Sequence, residues 1–220
     1  MKLLAALVLI FSITTAHADD KIKMYYNNEE IIKIIETYSK ASGQKFIIDP
    51  SVRGKISIFN QESVSLVEAF NQLSTALAIN GFAISKQDDV MVVKLARNIQ
   101  RDYLQVGSEV PSLKPERMYV WIYSVKTRPA GQILHDMRNL LSVNGEVASD
   151  ELTNQLFFTD FTSNINRIAA MIKELDKPAD DAVLKIVEAT KKQKASQKEK
   201  MTNNSTSRPT AQKETKKENN

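Results

Sequence analysis

Two spacings of apolar side chains alternate along this chain, and their order limits the folds that it can adopt. Short runs alternate apolar and polar residues, as half-buried strands do, whereas longer runs place apolar residues three or four positions apart, as one helix face does. Residues 22–95 follow the order β-α-β-β-α-β-β, and residues 118–175 follow β-α-β-β-α. The chain is therefore predicted to have an α+β fold of two small mixed-sheet α/β units in series.

The first unit is predicted to hold one sheet and two helices. Its strands are expected at Ile22–Tyr26, Phe46–Ile48, Lys55–Asn60, Phe82–Lys86 and Val90–Leu95. The first helix is expected to end at Gly43, and the second to begin at Ser65, whose hydroxyl suits a helix N-terminus. The apolar stripes of the two helices are Ile31, Ile34, Ile35 and Tyr38, then Val67, Phe70, Leu73 and Leu77.

The second unit follows residues 98–114, which lack strong periodicity and are expected to form a linker. Strands are predicted at Met118–Ser124, Gly145–Ser149 and Gln155–Thr159. One helix is predicted at residues 129–141, and a second is expected to be capped by Asp160, with the stripe Ile165, Ile168, Ala169, Ile172 and Leu175. Tyr119, Trp121 and Tyr123 share one strand face, which is either core, the favoured interpretation, or an exposed contact surface.

Residue counts exclude most enzyme chemistry. The sequence has no cysteine, which excludes disulfides, thiol catalysis and thiolate metal sites, and it has only two histidines. No two of its six glycines lie three positions apart, so glycine-rich phosphate loops are absent. His135 has no predicted partner for a catalytic triad or a metal. We therefore expect no enzymatic activity, no catalytic or metal-binding residues and no cofactor.

Residues 1–18 are predicted to be a cleaved export signal. Lys2 precedes the apolar run Leu3–Ile13, and Ala16-His17-Ala18 has the small-x-small pattern of a cleavage site. As a helix, the apolar run would span only about 16 Å, which is short of a hydrocarbon core of about 30 Å. The mature chain is then expected to begin at Asp19, to have no transmembrane segment and to reside in the periplasm.

Positive charge is concentrated near the end of the chain. Residues 19–114 carry twelve basic and twelve acidic residues, residues 115–178 carry seven and eight, and residues 179–220 carry ten and six. The folded units are thus not basic platforms for nucleic acid. Residues 180–192 are expected to form a short helix, and the polar tail from Gln193 onward is expected to be disordered. The tail is either a solvated terminus, which is favoured, or a tether to an anionic surface.

The segment Phe46 to Ile56, FIIDPSVRGKI, and the Asn-Gly-Phe at residues 80–82 resemble the first periplasmic domain of bacterial secretins. That domain is related to the STN signalling domain of TonB-dependent receptors. The second unit resembles the short repeat that follows this domain in secretins. The matching residues, here called the motif residues, are Asp49, Pro50, Gly54, Gly81, Asp150, Thr153, Asn154, Leu156, Asp160, Asn164, Ile165, Ile168, Leu175 and Asp176.

Structural roles are expected for the motif residues, because Asp and Asn side chains bond to nearby backbone in turns and caps. The resemblance divides the chain into a signal peptide (1–18), a first secretin domain (19–97), a linker (98–114), a secretin short repeat (115–178) and a polar basic tail (179–220). Arg167, on the last helix, is expected to be a solvated surface residue rather than an anchor.

Secretins are outer-membrane gates of type II and type III secretion and of type IV pili, and their N-terminal domains stack as periplasmic rings. Residues 179–220 lack the alternating strands of a transmembrane barrel, so the resemblance implies a ring or adaptor role without pore formation. The implied partners are secretin subunits or inner-membrane secretion or pilus components, together with other copies of this chain.

Two other functions stay open from the sequence. The likeness to STN domains suggests a periplasmic signalling module that binds a membrane regulator. The β-α-β-β-α order is also similar to KH domains, which bind RNA through a GXXG loop. That loop is missing here and the folded units are not basic, so no nucleic-acid partner is expected.

Overall fold

The computed structural model describes residues 21–102 and 104–206. Residues through Asp176 belong to one compact unit, and residues from Lys177 onward belong to a second. The predicted export signal at residues 1–18 and the end of the predicted tail, residues 207–220, lie outside the described residues. The domain boundaries inferred from the sequence stay predictions.

Residues 21–95, the first region, follow the predicted order, with the first strand divided and one short strand added. The elements are β1 (Lys21–Ile22), β2 (Tyr25–Glu30), α1 (Ile31–Ser42), β3 (Lys45–Ile48), β4 (Lys55–Phe59), β5 (Val64–Ser65), α2 (Leu66–Ile79), β6 (Phe82–Gln87) and β7 (Val90–Leu95). Gly43 ends α1 with a φ of 70°, and the Ser65 hydroxyl accepts a hydrogen bond from the Glu68 N–H, as predicted.

The strands of the first region form three small sheets rather than the single sheet that was predicted. β1 pairs with β5, β2 pairs with β4, and β3, β7 and β6 form a mixed sheet in which β3 runs parallel to β7. The division arises because β4 pairs with β2 instead of lying beside β3. Between β3 and β4, Val52 is buried in the core.

The core of the first region lies between its helices and sheets. The predicted stripe of α1 is confirmed, since all four of its residues are buried. In α2 the buried face is Ala69, Leu73 and Leu77, whereas Val67 is 72% exposed, so its assignment to the core was wrong. Val67 lies in the first turn of α2 and on the side of the helix away from this face.

Residues 104–176, the second region, confirm the predicted β-α-β-β-α order and add one strand before it. The elements are β8 (Val106–Gly107), β9 (Met118–Ser124), α4 (Ala130–Met137) continued by a 3₁₀ turn (Arg138–Leu140), β10 (Glu146–Asp150), β11 (Gln155–Phe161) and α5 (Thr162–Leu175). The sheet order is β10-β11-β9-β8, with β8 parallel to β9. Tyr119 and Trp121 are buried, which confirms the core interpretation of the aromatic row.

The two regions pack against each other through a small apolar cluster, here called the junction. The cluster contains Ala83 on β6, Ala96 and Ile99 on α3 (Ala96–Ile99), Met118 on β9 and Phe161 on β11. Hydrogen bonds also cross the junction: Arg97 on α3 donates to the Val143 carbonyl at 3.3 Å, and Gln100, the residue after α3, donates to the Asn144 carbonyl. The start of the expected linker is therefore buried structure shared by both regions.

In the second compact unit, α6 (Asp181–Thr206) is longer than predicted. The expected helix ended at Lys192, so the structure differs from the prediction over residues 193–206. Many residues there are Lys, Gln, Glu and Ala, which favour a helix even where few apolar side chains are present to pack. Among the helices in the described part of the chain, none combines the length and apolar character that a bilayer span requires.

The junction generates a first prediction. Ile99→Ala should lower the free energy of unfolding by about 2–4 kcal/mol, because Ile99 is fully buried and its truncation leaves a cavity between the regions. Urea unfolding followed by circular dichroism and by the fluorescence of Trp121, the single tryptophan, measures this change. The control is Ile79→Ala, which removes a side chain that is 80% exposed and should change stability by less than about 0.5 kcal/mol. Equal effects of the two substitutions would contradict the packing described.

Candidate functional site

Asp176, at the C-terminal end of α5, holds the loop that joins β9 to α4. Its carboxylate accepts hydrogen bonds from the backbone N–H groups of Lys126 (2.9 Å) and Thr127 (2.8 Å) and from the Thr127 hydroxyl (2.7 Å). The Tyr123 hydroxyl also donates to it, at 2.8 Å. Burial favours the neutral acid, but these hydrogen bonds outweigh it and lower the pKa of Asp176. The pKa of Tyr123 is raised to about 12, mainly by burial of its hydroxyl and secondly by the hydrogen bond to Asp176.

Asn154, in the turn between β10 and β11, holds the same loop from its other end. Its side-chain oxygen accepts from the Ala130 N–H at 2.7 Å, and its amide nitrogen donates to the carbonyls of Val125 (2.9 Å) and Arg128 (3.1 Å). The backbone of Asn154 has a φ of 53°, a conformation that Asn adopts more readily than most residues. Two motif residues that are far apart in sequence therefore fix one loop.

Asp160 is buried and holds the loop between the 3₁₀ turn and β10. It accepts from the Ser142 N–H and hydroxyl and from the side-chain amide of Asn164. The prediction that Asp160 caps α5 was wrong, because Phe161 is the N-cap residue and the Asp160 carboxylate is committed to the loop. Arg167 is exposed, as expected, although its guanidinium also donates to the Leu140 carbonyl of this loop.

Glu116 satisfies the first turn of α5 instead, and sequence reasoning missed it. Its carboxylate accepts from the Ser163 N–H (3.1 Å), the Ser163 hydroxyl (3.0 Å) and the Thr162 hydroxyl (3.3 Å). An acidic residue that lies 47 positions before its partner Ser163 has no local capping signature. Ser142, Tyr123 and Thr127 were missed for the same reason, since their partners are distant in sequence.

The other polar motif residues shape local turns. Asp150 accepts from the Thr153 N–H at 3.1 Å and from its hydroxyl, and the hydroxyl bond lowers the pKa of Asp150. Asp49 accepts from the N–H (2.8 Å) and the hydroxyl (2.6 Å) of Ser51. Each carboxylate thus closes the turn that begins at its own residue.

The remaining motif residues are glycines, a proline and apolar side chains. Gly54 and Gly81 have φ values of 125° and 79°, which favour glycine, and Pro50 follows the last pair of residues in the parallel ladder. Among the apolar motif residues, Leu156, Ile165 and Ile168 are fully buried and Leu175 is partly buried in the core of the second region.

The polar motif residues described above bond to turns, loops and neighbouring side chains of the fold. Within residues 21–102 and 104–206, no three acidic or histidine side chains gather as they would around a metal ion. His135 is exposed on α4. What the arrangement offers chemically is a rigid framework with open sheet edges, and those edges are the candidate binding surfaces.

Two such surfaces lie in the first region. β3 is an edge of its sheet, and Ile47 on it is 59% exposed. On the sheet of β2 and β4, Tyr25 and Phe59 are 52% and 62% exposed, and their rings meet edge to face with centroids 5.5 Å apart. Large apolar side chains exposed beside unpaired strand backbone are typical of strand-addition interfaces.

Comparison with known proteins shows which proteins the first region is similar to. Residues 24–93 match the model of the GspD-like N0 domain. This segment is therefore similar to the N0 domain of secretins, and the chain is similar to the N-terminal part of curated secretins. The matched segment coincides with most of the first region. Secretin XcpQ of Pseudomonas aeruginosa is 25% identical over 148 residues, which are 67% of this chain and 22% of that protein. Putative secretin GspD of Escherichia coli K12 is 28% identical over 155 residues, 69% of this chain and 24% of that protein.

The likeness in structure extends past the N0 domain. A Klebsiella pneumoniae type II secretion system outer-membrane complex, described as PulD, PulS and PulC HR domain, superposes with a TM-score of 0.63 at 20% identity. The match covers 70% of this chain and 27% of that one, and it supports the fold. The chain thus spans about a quarter of the length of the curated secretins that it matches.

Asp176 generates a second prediction. Asp176→Asn should lower the free energy of unfolding by about 1–3 kcal/mol near pH 7, because an amide cannot accept from all the donors that surround this carboxylate. The pKa of Asp176 is lower in the folded chain than its ordinary 3.8, so its contribution is present above that value and is lost as the pH falls through the folded pKa. The difference in the free energy of unfolding between wild type and variant should therefore narrow in urea titrations as the pH is lowered well below 3.8.

A matched control for this prediction is Asp136→Asn, which changes an exposed carboxylate in the same region. Its stability should follow that of the wild type at both pH values. The free energy of unfolding could instead differ between Asp176→Asn and wild type by the same amount at both pH values. That result would show that the hydrogen bonds to the ionised carboxylate are not the source of the difference.

Gly145 generates a third prediction. A Cβ atom at this position would lie less than 3.0 Å from the Asp160 carboxylate, so Gly145→Ala should displace that buried group and cost about 1–3 kcal/mol of stability. Gly131→Ala is the control, because the space around that α4 position is open and alanine favours a helix. Thermal unfolding should show a lower Tm for Gly145→Ala and an unchanged or higher Tm for Gly131→Ala.

Proposed function

We propose that this chain is a non-enzymatic, periplasmic protein-interaction module of a secretin-type system, serving type II secretion or a type IV pilus in a ring or adaptor role. The N0 domain at residues 24–93 is the observation that carries the proposal. The partners proposed are secretin subunits or inner-membrane components of the same machine, and they bind the first region.

The exposed edge of β3 supports the position of this interface. Among residues 21–102 and 104–206, no strand pairs with β3 on the side away from β7, and Ile47 adds an apolar contact beside this edge. A partner strand placed there would pair the open backbone and cover Ile47 in the same step. The aromatic pair Tyr25 and Phe59 offers a second apolar contact in the same N0 domain.

The polar interior of the second region supports a binding role over a catalytic one. The carboxylates of Asp160 and Asp176, which are its buried acids, accept hydrogen bonds from loop backbone and neighbouring side chains. A general acid or base must be free to exchange a proton with a substrate, whereas these groups keep loops in place. Rigid loops preserve the shape of the surfaces that partners would contact.

The absence of cysteine from the sequence makes a direct test of the interface simple. Ile47→Cys introduces a unique thiol at the β3 edge, to which a short photo-crosslinker is attached in the isolated cell envelope. We expect crosslinks to a secretin subunit or to an inner-membrane secretion or pilus component. Mass spectrometry of the crosslinked species identifies the partner.

Leu152→Cys is the matched control, since Leu152 is an exposed apolar residue (97%) in the β10–β11 turn, away from the N0 domain. It should give few or none of these crosslinks. Equal crosslinking from both positions, or recovery of no envelope machine component from Ile47→Cys, would contradict the proposal. A crosslink to a membrane regulator alone would favour the signalling module considered from the sequence.

A further inference from the structure

Two adjoining cavities, here together called the groove, lie between the C-terminal half of α1, the N-terminal half of α2 and the segment before β9. The larger cavity, of about 360 Å³, has an apolar lining formed by Tyr38, Leu66, Val67, Phe70, Met91 and Pro115. The smaller one, of about 230 Å³, shares Phe70, Met91 and Pro115 and adds Lys86 and Arg117. The larger cavity is within the range of small-molecule sites, about 300–1,000 Å³.

Strand register places a cation at one end of the groove floor. Phe46 of β3 lies opposite Met91 of β7, and Met91 lies opposite Lys86 of β6. Residues opposite each other in neighbouring strands have their side chains on the same face of the sheet, so the three form one row. The rings of Tyr38 and Phe46 meet at the first end of this row, with centroids 6.0 Å apart. The floor therefore runs from aromatic rings, across Met91, to a lysine.

The apolar lining of the groove is only partly covered. Phe70 and Met91 are partly buried at the margin of the core, and the Phe70 ring lies 5.7 Å from that of Tyr38. Val67, at the rim, is 72% exposed. The residue that the helix spacing wrongly assigned to the core is thus an apolar side chain beside an open apolar cavity. A hydrocarbon chain in the groove would remove this surface from water.

The smaller cavity carries two cations. Lys86 is exposed, and the Arg117 guanidinium is held by a 3.1 Å hydrogen bond to the Pro115 carbonyl. Among the side chains that the structure describes, neither cation forms an ion pair. Glu116 also lines this cavity, but its carboxylate accepts hydrogen bonds at the start of α5. This end of the groove therefore complements an anionic group.

The middle of the groove favours a hydrocarbon chain over a peptide. The three residues common to both cavities, Phe70, Met91 and Pro115, have apolar side chains. Proline has no N–H, and the Pro115 carbonyl already accepts from Arg117. The backbone of Met91 is paired with strands on both sides, and Phe70 is inside α2. Peptide amides crossing here would lose water without gaining partners, whereas an acyl chain has no such groups.

We propose that the groove binds an unbranched acyl chain that ends in a carboxylate. The chain lies along Met91 and Phe70 and covers Val67, and its carboxylate pairs with Lys86 and Arg117. This inference goes beyond the proposed function, because the ligand is a small amphiphile rather than a protein and the site is distinct from the β3 edge.

Calorimetric titration of the full chain tests the proposal. The probe is sodium decanoate below its micelle concentration, at about pH 8, where the carboxylate is ionised. The comparison ligands are octanoate, which is two methylenes shorter, and decyltrimethylammonium, which has the same chain length and a cationic head. Decanoate should bind saturably and at least about fourfold more tightly than octanoate, because each methylene removed from water adds affinity. Decyltrimethylammonium should not bind, because its head would meet Lys86 and Arg117.

Variants of exposed residues locate each end of the ligand. Lys86→Glu should weaken decanoate binding about tenfold or more, because it replaces an attraction with a repulsion. Val67→Ser should weaken it about two- to threefold, because the chain loses apolar contact. Arg138→Glu, on the 3₁₀ turn, and Ile79→Ser, at the other end of α2, are the matched controls and should leave the affinity unchanged. Circular dichroism confirms that the variants are folded.

Methyl NMR of methionine-labelled chain gives an independent location. The signal of Met91, assigned from its loss in Met91→Leu, should shift as decanoate is added. The signal of Met171, which is 37% exposed on α5, should not shift.

Several results would overturn the proposal. These are no saturable binding of decanoate up to about 1 mM, equal binding of the cationic amphiphile, an affinity that Lys86→Glu leaves unchanged, or shifts at Met171 instead of Met91. Tighter binding of the peptide Leu-Val-Leu-Val, with a free C-terminus, than of decanoate would assign the groove to a protein C-terminus. Because the crosslinking experiment at Ile47 concerns another surface and a protein partner, its outcome and this one are independent.

Discussion

Hydrogen bonds from loop backbone to buried carboxylates are the constraint on which the second region depends. A small sheet with two helices leaves long connections whose N–H groups cannot join a ladder, and a buried N–H group without a partner costs free energy. Asp160 and Asp176 accept these donors for the loops that precede β10 and α4. The apolar faces of α4 and α5 can then pack on β9 and β11 around Trp121 and Phe158, whose rings stack at 5.5 Å.

The sequence predicted most of the order of elements, because strand and helix spacings are local patterns. The strand Met118–Ser124 has the predicted bounds, and the buried faces of α1 and α5 are those read from the spacing of isoleucines. Turn residues were equally predictable, since Asp49 and Asp150 bond within three positions of themselves.

Long-range pairings were the part that the sequence could not predict. The residues next to Asp160 do not indicate whether its carboxylate caps α5 or bonds to a loop. The outcome depends on where Ser142, its hydrogen-bond donor, lies in the fold. The pairing of β4 with β2 and the addition of β8 to the second sheet are likewise decided by packing between distant segments.

The shared apolar cluster at the junction has a consequence for how this N0 domain is isolated. The matched residues end at 93, yet Ala96 and Ile99 are fully buried against Ala83 of β6 and against the second region. A fragment that ends where the family match ends would expose the apolar surface of β6 around Ala83 to solvent. A fragment that continues through α3 would expose Ile99, because the side chains of the second region that bury it would be missing. A fragment for purification should therefore contain both regions through Asp176, which form one compact unit.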